Sequence, residues 1–201
     1  MGEKRQARQG ADVLLQEEPL RFQTRKQVGL LGGNFNPVHL AHLVMADQVQ
    51  NQLGLDKVYL MPTYLPPHVD EKKTISSEHR LAMLELAVAD NPCLDIEPIE
   101  LIRKGKSYTY DTMKALKEAN PDTDYYFIIG GDMVEYLPKW HRIDDLLHLV
   151  QFVGIRRPNY PTESTYPIIW VDVPQMAISS TLIRQKVKSG CSTRYLLPEN
   201  V

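Results

Sequence analysis

The chain has few cysteines and no long hydrophobic run, and both absences narrow the classes of protein it can belong to. Only two cysteines occur in 201 residues, Cys93 and Cys191, and neither stands in a CxxC or CxxH spacing. This excludes a disulfide scaffold and a cysteine-based metal framework, and it fits a reducing compartment. No apolar run approaches the roughly 20 residues that span a bilayer, and the charged N-terminus lacks the hydrophobic segment of a signal peptide. We therefore expect a cytoplasmic protein with no membrane partner.

A large excess of charge of one sign is also absent. The 23 basic and 25 acidic residues give a formal net charge of −2, with the two signs well mixed along the chain. This balance argues against a broad nucleic-acid or membrane surface. It leaves room for a local basic pocket around a small anion.

Two common phosphate-binding motifs are missing. The sequence contains neither G-x-x-x-x-G-K-[ST], the P-loop, nor G-x-G-x-x-G, the usual dinucleotide fingerprint. A phosphate site in this chain therefore has to be built in another way.

Strand-like and helix-like segments alternate from Val28 onward. The predicted strands are Val28–Leu31, Lys57–Met61, Leu94–Glu97, Tyr125–Ile129, Gln151–Ile155 and Ile168–Val171. The predicted helices are Leu40–Leu53, Glu78–Ala89, Tyr110–Glu118, Ile143–Leu149 and Ser180–Lys188. Such alternation favours right-handed βαβ crossovers. We expect an α/β fold over residues 27–201: one Rossmann-like domain with a doubly wound, mostly parallel sheet and helices on both faces. Residues 1–26 are expected to form an N-terminal extension.

The segment Val28-Gly-Leu-Leu-Gly-Gly-Asn-Phe-Asn-Pro-Val-His-Leu-Ala-His42 carries the strongest functional signal. Gly32 and Gly33 end a buried strand and allow a ligand to approach the backbone without a Cβ in the way. The Asn36-Pro37 turn then starts a helix whose first turn carries His39 and His42 on one face. The free N–H groups of that turn are expected to favour an anion. The combination favours a phosphate site over an ordinary strand–turn–helix with two solvated histidines.

A second motif, Ile178-Ser-Ser-Thr-Leu-Ile-Arg184, lies near the C-terminus. Ser179 or Ser180 is suited to cap a helix, and Arg184 projects along the same side as Ser180 and Thr181. A helix N-terminus, hydroxyls and a guanidinium together can hold an oxyanion. An ordinary capped helix with a solvated arginine is the alternative.

Both motifs resemble the paired signatures of the nucleotidylyltransferase superfamily, G-G-x-F-x-P-x-H-x-x-H and I-S-S-T-x-I-R. Further segments are similar to the bacterial nicotinate-mononucleotide adenylyltransferases of that superfamily: Pro66–His68, Ser107–Thr112, Ile128–Met133 and Tyr136–Trp140. The resemblance covers the chain from about Val28 to about Leu197. It implies transfer of AMP from ATP to nicotinate mononucleotide, which gives nicotinate adenine dinucleotide and pyrophosphate, a step of NAD synthesis.

The resemblance also implies roles for individual residues. His39, His42 and Arg184 are the expected catalytic residues. The residues expected at ATP are Gly32, Gly33, Asn34, His39, His42, Gly130, Asp132, Ser180, Thr181 and Arg184. Those expected at the mononucleotide are Tyr108, Thr109, Tyr136, Lys139, Trp140 and His68. Mg²⁺ is expected to arrive with ATP, held mainly by phosphate oxygens and water, and no protein metal cage is predicted.

Several of these residues keep a second interpretation from sequence alone. Asp132 is as well suited to capping a helix as to binding a ribose. Trp140 is placed in the core at least as readily as on a pyridine ring. His68 lies in a proline-rich loop, and Arg157 follows a predicted strand; both are equally compatible with solvent exposure.

The chain departs from the family pattern in three places. Asn34 and Asn36 stand where Thr and Asp are common, and Val69 stands where Lys often follows Pro-Pro-His. The sequence stops soon after Tyr195–Pro198, where the family leads us to expect another helix; a truncated sequence and a short natural end are both left open. A sibling transferase for another phosphorylated substrate and a non-catalytic nucleotide sensor remain alternative functions. The sequence leaves the oligomeric state open, a homo-oligomer included.

Overall fold

The computed structural model describes residues 25–66, 74–157, 160 and 162–201. Its centre is a six-stranded sheet in the order β3-β2-β1-β4-β5-β6, with every strand pair parallel. The strands are β1 (Lys26–Gly33), β2 (Lys57–Pro62), β3 (Leu94–Ile96), β4 (Thr123–Gly130), β5 (Val150–Ile155) and β6 (Ile168–Val171).

The helices connect these strands. They are α1 (Leu40–Leu53), α2 (Ser77–Val88), α3 (Ile99–Arg103), α4 (Thr109–Ala119), α5 (Gly131–Val134), α6 (Ile143–Leu146) and α7 (Ser180–Lys188), with a 3₁₀ turn at Leu137–Lys139. Among the described residues, the model contains no helix with the length and apolar character needed to cross a membrane.

The central strands are hydrophobic along most of their length because helices cover both faces of the sheet. One core contains Phe127, Ile129 and Phe152 with Met113 of α4. The other contains Leu31, Leu60 and Ile128 with residues of α1 and α2. Neighbouring residues of β4, such as Phe127 and Ile128, therefore point into different cores, as the alternation of side chains along a strand requires.

The order of the strands reverses direction between β1 and β4. From β1 the chain proceeds outward through β2 to β3, and from β4 it proceeds the other way through β5 to β6. Ligands of doubly wound sheets bind beyond the carboxyl ends of the strands at this reversal. Here those ends are Gly33 of β1 and Gly130 of β4.

The structure confirms the predicted fold class, including the six strands and the helices on both faces. β1 starts at Lys26, so the last residue of the predicted extension belongs to the sheet; residues 1–24 lie outside the described part of the chain. Two predicted elements are shorter: the strand near Leu94 ends at Ile96, and α6 ends at Leu146 rather than Leu149. Periodicity did not reveal α3, α5 or the 3₁₀ turn, because three to five residues are too few to show a helical repeat.

Candidate functional site

β1 ends in two glycines, Gly32 and Gly33, which both pack closely against aromatic rings. A Cβ on Gly33 would lie 2.9 Å from the tip of the Phe35 ring, and one on Gly32 would lie 3.3 Å from the ring of Phe127. Phe35 has a φ of +46° and is almost fully buried. The glycines therefore leave space for packed rings as well as for a ligand.

His39 and His42 form a stacked pair at the start of α1. Their ring centroids are 3.7 Å apart with an interplanar angle of 23°, and the His39 backbone N–H donates to His42 Nδ1 at 3.3 Å. Because Nδ1 of His42 accepts a hydrogen bond, the neutral ring carries its proton on Nε2. His42 therefore has one ring N–H to offer to an anion.

Both imidazoles are neutral at pH 7. Burial lowers the pKa of His39 from 6.5 to about 4. Burial, with a smaller contribution from the nearby His39, lowers the pKa of His42 to about 3. An arriving phosphate would push both pKa values upward, since a nearby opposite charge favours the protonated form.

The N-terminus of α1 is less open than the sequence suggested. The Leu40 N–H donates to the carbonyl of Leu196 at 3.1 Å, and the His42 N–H donates to the carbonyl of His39 at 2.9 Å. The prediction of a free first turn is therefore wrong for these two donors. The segment after α7 supplies the carbonyl group at Leu196, and no local sequence signal marks such a long-range contact.

The second motif lies directly against the first. Arg184 Nη1 donates to the Asn36 carbonyl at 2.6 Å, and Ser180 Oγ donates to the Pro37 carbonyl at 2.8 Å. Ser179 caps α7 by accepting from the Leu182 N–H. The structure thus places Arg184 at the same end of the sheet as the histidine pair.

The two hydroxyl groups of the second motif, on Ser180 and Thr181, differ in the further hydrogen bonds that they can make. The proton of Ser180 is used on Pro37, so this hydroxyl can only accept further hydrogen bonds. Thr181 Oγ1 accepts from Arg184 Nη2 at 3.2 Å and keeps its own proton for donation.

A cavity of about 410 Å³ opens beside these motifs, at the carboxyl ends of β1 and β4. The predicted site residues in its wall are Gly32, Gly33, His42, Tyr108, Thr109, Gly130, Asp132 and Trp140, together with Arg157. The predicted residues outside its wall are Asn34, His39, Tyr136, Lys139, Ser180, Thr181 and Arg184. His68 lies outside the described residues.

Trp140 satisfies both interpretations that the sequence left open. Its ring packs edge-to-face on Phe127 and on Phe152, each with centroids 5.9 Å apart, and it also lines the cavity. Tyr108 lies nearby, with its ring 4.6 Å from that of His141. This end of the cavity is therefore aromatic, which suits a flat heterocycle.

Tyr136 and Lys139 lie on the exposed surface instead. The Lys139 ammonium is 5.3 Å from the centroid of the Tyr136 ring, whose residue is 51% exposed. The two side chains contact each other rather than the cavity wall.

Asp132 does not cap α5. The cap position is Gly130, and Asp132 is the second residue of the helix, so the capping interpretation is wrong. A Cβ on Gly130 would collide with Asp132 Oδ1. Arg157 Nη1 lies 3.4 Å from that oxygen, an ion-pair distance without hydrogen-bond geometry. The aspartate is thus held at the cavity wall with capacity to accept hydrogen bonds.

Comparison with known proteins identifies the family of this chain. The model of the cytidylyltransferase-like family matches residues 30–186, from β1 to α7. The chain belongs to this family.

Relatives within the cytidylyltransferase-like family are close. A protein of Streptococcus pneumoniae serotype 4 and one of Streptococcus mutans serotype c, each named "probable nicotinate-nucleotide adenylyltransferase", are 63% and 62% identical to it. Each alignment spans 185 residues, 92% of this chain and 88% of the relative.

Solved structures of other proteins share the fold. The nicotinic acid mononucleotide adenylyltransferase of Plasmodium falciparum, complexed with NaAD, superposes with a TM-score of 0.68 at 18% identity over 83% of this chain and 86% of that one. Its complex with APC gives the same score over 84% and 87% of the two chains. At this identity the superposition establishes the fold alone.

Sequence reasoning missed two buried charged residues near the cavity, Arg80 and Glu100. Glu100 accepts from the Thr112 hydroxyl at 2.9 Å and lines the cavity, while burial raises its pKa. Arg80 contacts the carboxyl ends of β1 and β2. A signal existed for Arg80, since it stands four residues before Leu84 and so shares the buried face of α2.

Proposed function

We propose that this chain is a nicotinate-nucleotide adenylyltransferase, which transfers AMP from ATP to nicotinate mononucleotide and releases pyrophosphate. The observation that carries the proposal is the contact between Arg184 and the Asn36 carbonyl, which joins two distant motifs beside one cavity. Relatives with 62–63% identity bear this enzyme's name.

The reaction needs no side-chain nucleophile. The attacking group is a phosphate oxygen of the mononucleotide, already ionised near neutral pH, so no general base is required. The tasks left to the protein are to align two anionic substrates and to stabilise charge on the α-phosphate and the departing pyrophosphate.

The phosphate end of the cavity has donors for these tasks. His42 offers a ring N–H from a neutral imidazole, and the backbone at Gly32 and Gly33 is open to a ligand. Arg184 and Thr181 are proposed to receive the β- and γ-phosphates, since Arg184 donates to the turn that precedes the histidines and Thr181 accepts from Arg184. Asp132 is proposed to hold the ribose of ATP through its carboxylate, and Gly130 is proposed to lie against the same ribose, where it leaves room for that carboxylate.

The aromatic end is proposed to hold nicotinate. Trp140 and Tyr108 offer flat surfaces to the pyridine ring, and the backbone at Thr109, the first residue of α4, offers N–H donors to the carboxylate. An amide would direct its own N–H groups at these donors. Such a mismatch typically costs about 1–3 kcal/mol, so a preference for the acid is expected.

Mg²⁺ is proposed to enter as part of the ATP complex. In the part of the chain that the structure describes, no three His, Cys, Asp or Glu side chains converge as metal ligands. Phosphate oxygens and water would therefore supply most of the coordination, and the ion would neutralise charge on the departing pyrophosphate. We also infer a cytoplasmic location and small-molecule partners, supported by the free thiols of Cys93 and Cys191 and the balanced charge.

The test is a substrate panel scored by pyrophosphate release. ATP and Mg²⁺ are mixed with the full chain and with nicotinate mononucleotide, nicotinamide mononucleotide or phosphopantetheine. Release with nicotinate mononucleotide far above the other two supports the proposal. Faster release with another acceptor would point to a sibling transferase, and tight ATP binding without release would point to a sensor.

A further inference from the structure

Arg80 is a buried cation behind the phosphate end of the cavity. It is 2% exposed, and its Nη1 donates to the Asn34 carbonyl at 2.9 Å and to the Thr63 carbonyl at 2.8 Å. These carbonyls belong to the residues that directly follow β1 and β2. The guanidinium therefore lies at the point where the two strands open toward the ligand.

Within the part of the chain that the structure describes, the charge of Arg80 has no carboxylate partner. No acidic side chain among the described residues comes within ion-pair distance of its guanidinium, and its Nε has no hydrogen-bond partner. Burial lowers the pKa of the guanidinium, and among the described residues the acid that acts against this shift is Glu78, two residues earlier on the same helix. Carbonyl oxygens accept hydrogen bonds from Nη1 but do not neutralise the charge of the guanidinium.

A buried, unpaired charge is costly in a folded protein, so its presence calls for a compensating group. Both histidines of the first motif are neutral at pH 7. Arg80 therefore brings a fixed positive charge to the turn at Gly33 and Asn34, since its guanidinium donates to the Asn34 carbonyl. The motif assigns this turn to the phosphates.

We propose that the substrate's phosphate chain is the missing counter-ion of Arg80. In this role, which rests on the proposed function, Arg80 is a positioning residue: it fixes the Asn34 backbone and provides a positive potential without touching the nucleotide. Because the charge acts through a poorly screened interior, its effect on an anion several ångströms away remains large.

The test separates charge from hydrogen bonding. In Arg80→Lys the charge stays, whereas Arg80→Gln keeps an N–H donor without the charge. Binding of ATP, pyrophosphate and adenosine to each full-length variant is measured by calorimetry. We expect affinity for ATP and pyrophosphate to fall about tenfold or more in Arg80→Gln and about threefold or less in Arg80→Lys, with adenosine unchanged.

Arg25→Gln is the matched control, since it removes the same charge from an arginine at the amino end of the sheet that is paired with Asp124. The proposal is overturned when Arg80→Gln binds pyrophosphate like the wild type, when adenosine weakens in parallel, or when lysine and glutamine lose affinity equally. These binding assays contain no mononucleotide. Their outcome therefore does not depend on whether nicotinate mononucleotide is the acceptor, and the role of Arg80 and the proposed function are tested separately.

A second variant tests the unpaired charge even when Arg80→Gln does not fold. Asn34 Oδ1 lies 3.4 Å from Arg80 Nη1, so Asn34→Asp would place a carboxylate beside the guanidinium. We expect the free variant to melt at a higher temperature and to bind pyrophosphate more weakly than the wild type. An unchanged or lower melting temperature would mean that Arg80 needs no counter-ion.

Discussion

The two ends of the cavity are built in different ways. The phosphate end consists of two short motifs, around His42 and Arg184, that touch each other through backbone carbonyls. The aromatic end is assembled from Tyr108, Trp140 and Phe127, which come from separate segments. Trp140 packs edge-to-face on Phe127, while Tyr108 contacts the ring of His141. The first arrangement suits groups that must be aligned to react, and the second suits a ring that must only be held. Substitutions at the two ends should therefore affect different kinetic constants.

The largest expected effect is on turnover at the phosphate end. His42→Ala removes the ring N–H proposed to stabilise charge, and we expect kcat to fall about 10³-fold, the scale seen when such a donor is lost. Pyrophosphate release at saturating substrates measures the loss. His148→Ala, at an exposed histidine far from the cavity, is the control and should leave kcat unchanged. Near-normal turnover of His42→Ala would contradict the proposal that the phosphate end, unlike the aromatic end, determines kcat.

Acid should destabilise the folded protein through the histidines of the phosphate end. The folded protein keeps His39 and His42 neutral with pKa values of about 4 and about 3, whereas both bind protons near pH 6.5 when unfolded. The unfolded state thus binds more protons, and stability falls as pH drops from about 6.5 toward 4. The free energy of unfolding, measured by denaturant titration, should be lower at pH 5 than at pH 7 by about 2 kcal/mol for each histidine.

The variant His42→Gln isolates one half of this effect. Its pH dependence should be smaller than that of the wild type, while Trp140→Phe should keep the full dependence. If the free energy of unfolding depended equally on pH in the wild type and in His42→Gln, the histidine pair would not be the source of the acid sensitivity.

At the aromatic end, the expected effect is on binding of the mononucleotide. Trp140→Ala removes the proposed stacking surface, and we expect KM for nicotinate mononucleotide to rise about tenfold while KM for ATP stays within about twofold. Steady-state kinetics with each substrate varied in turn measures both constants. Trp140→Phe keeps an aromatic face and should recover most of the affinity. A matching rise in both constants would contradict the separation of the ends.

The smallest expected effect concerns the bond between the motifs. Ser180→Ala leaves the Pro37 carbonyl without its hydroxyl donor, and the loss of one such hydrogen bond typically costs about 1 kcal/mol. Thermal unfolding should show a modest decrease in melting temperature. Ser189→Ala, at an exposed serine at the other end of α7, provides a comparison that should show none, since no hydrogen bond of its hydroxyl occurs within the described residues. An unchanged Ser180→Ala would mean that Arg184 alone holds the motifs together.

The sequence predicts the framework better than the details of the site. The strands could be predicted because each combines an apolar run with a following turn signal, and their parallel order follows from the intervening helices. The resemblance to the nucleotidylyltransferases predicted the proximity of Arg184 to the histidines, since it assigned all three residues to ATP. Helical spacing indicates a shared face for Arg80 with Leu84 and for His39 with His42. The ion pair of Asp132 with Arg157, in contrast, arises only from tertiary packing. The hydrogen bond from Leu40 to Leu196 joins residues 156 positions apart, and neither residue type indicates the other.

That hydrogen bond and the one from Ser180 to Pro37 have a consequence for the nascent chain. The turn around His42 is among the first parts of the domain to leave the ribosome, yet its partners are among the last. Its neighbour strand β4 also emerges only after β2 and β3 have been made. A ribosome-bound fragment that ends before α7 would therefore present the histidines without their support, and binding competence should appear only when translation is nearly complete.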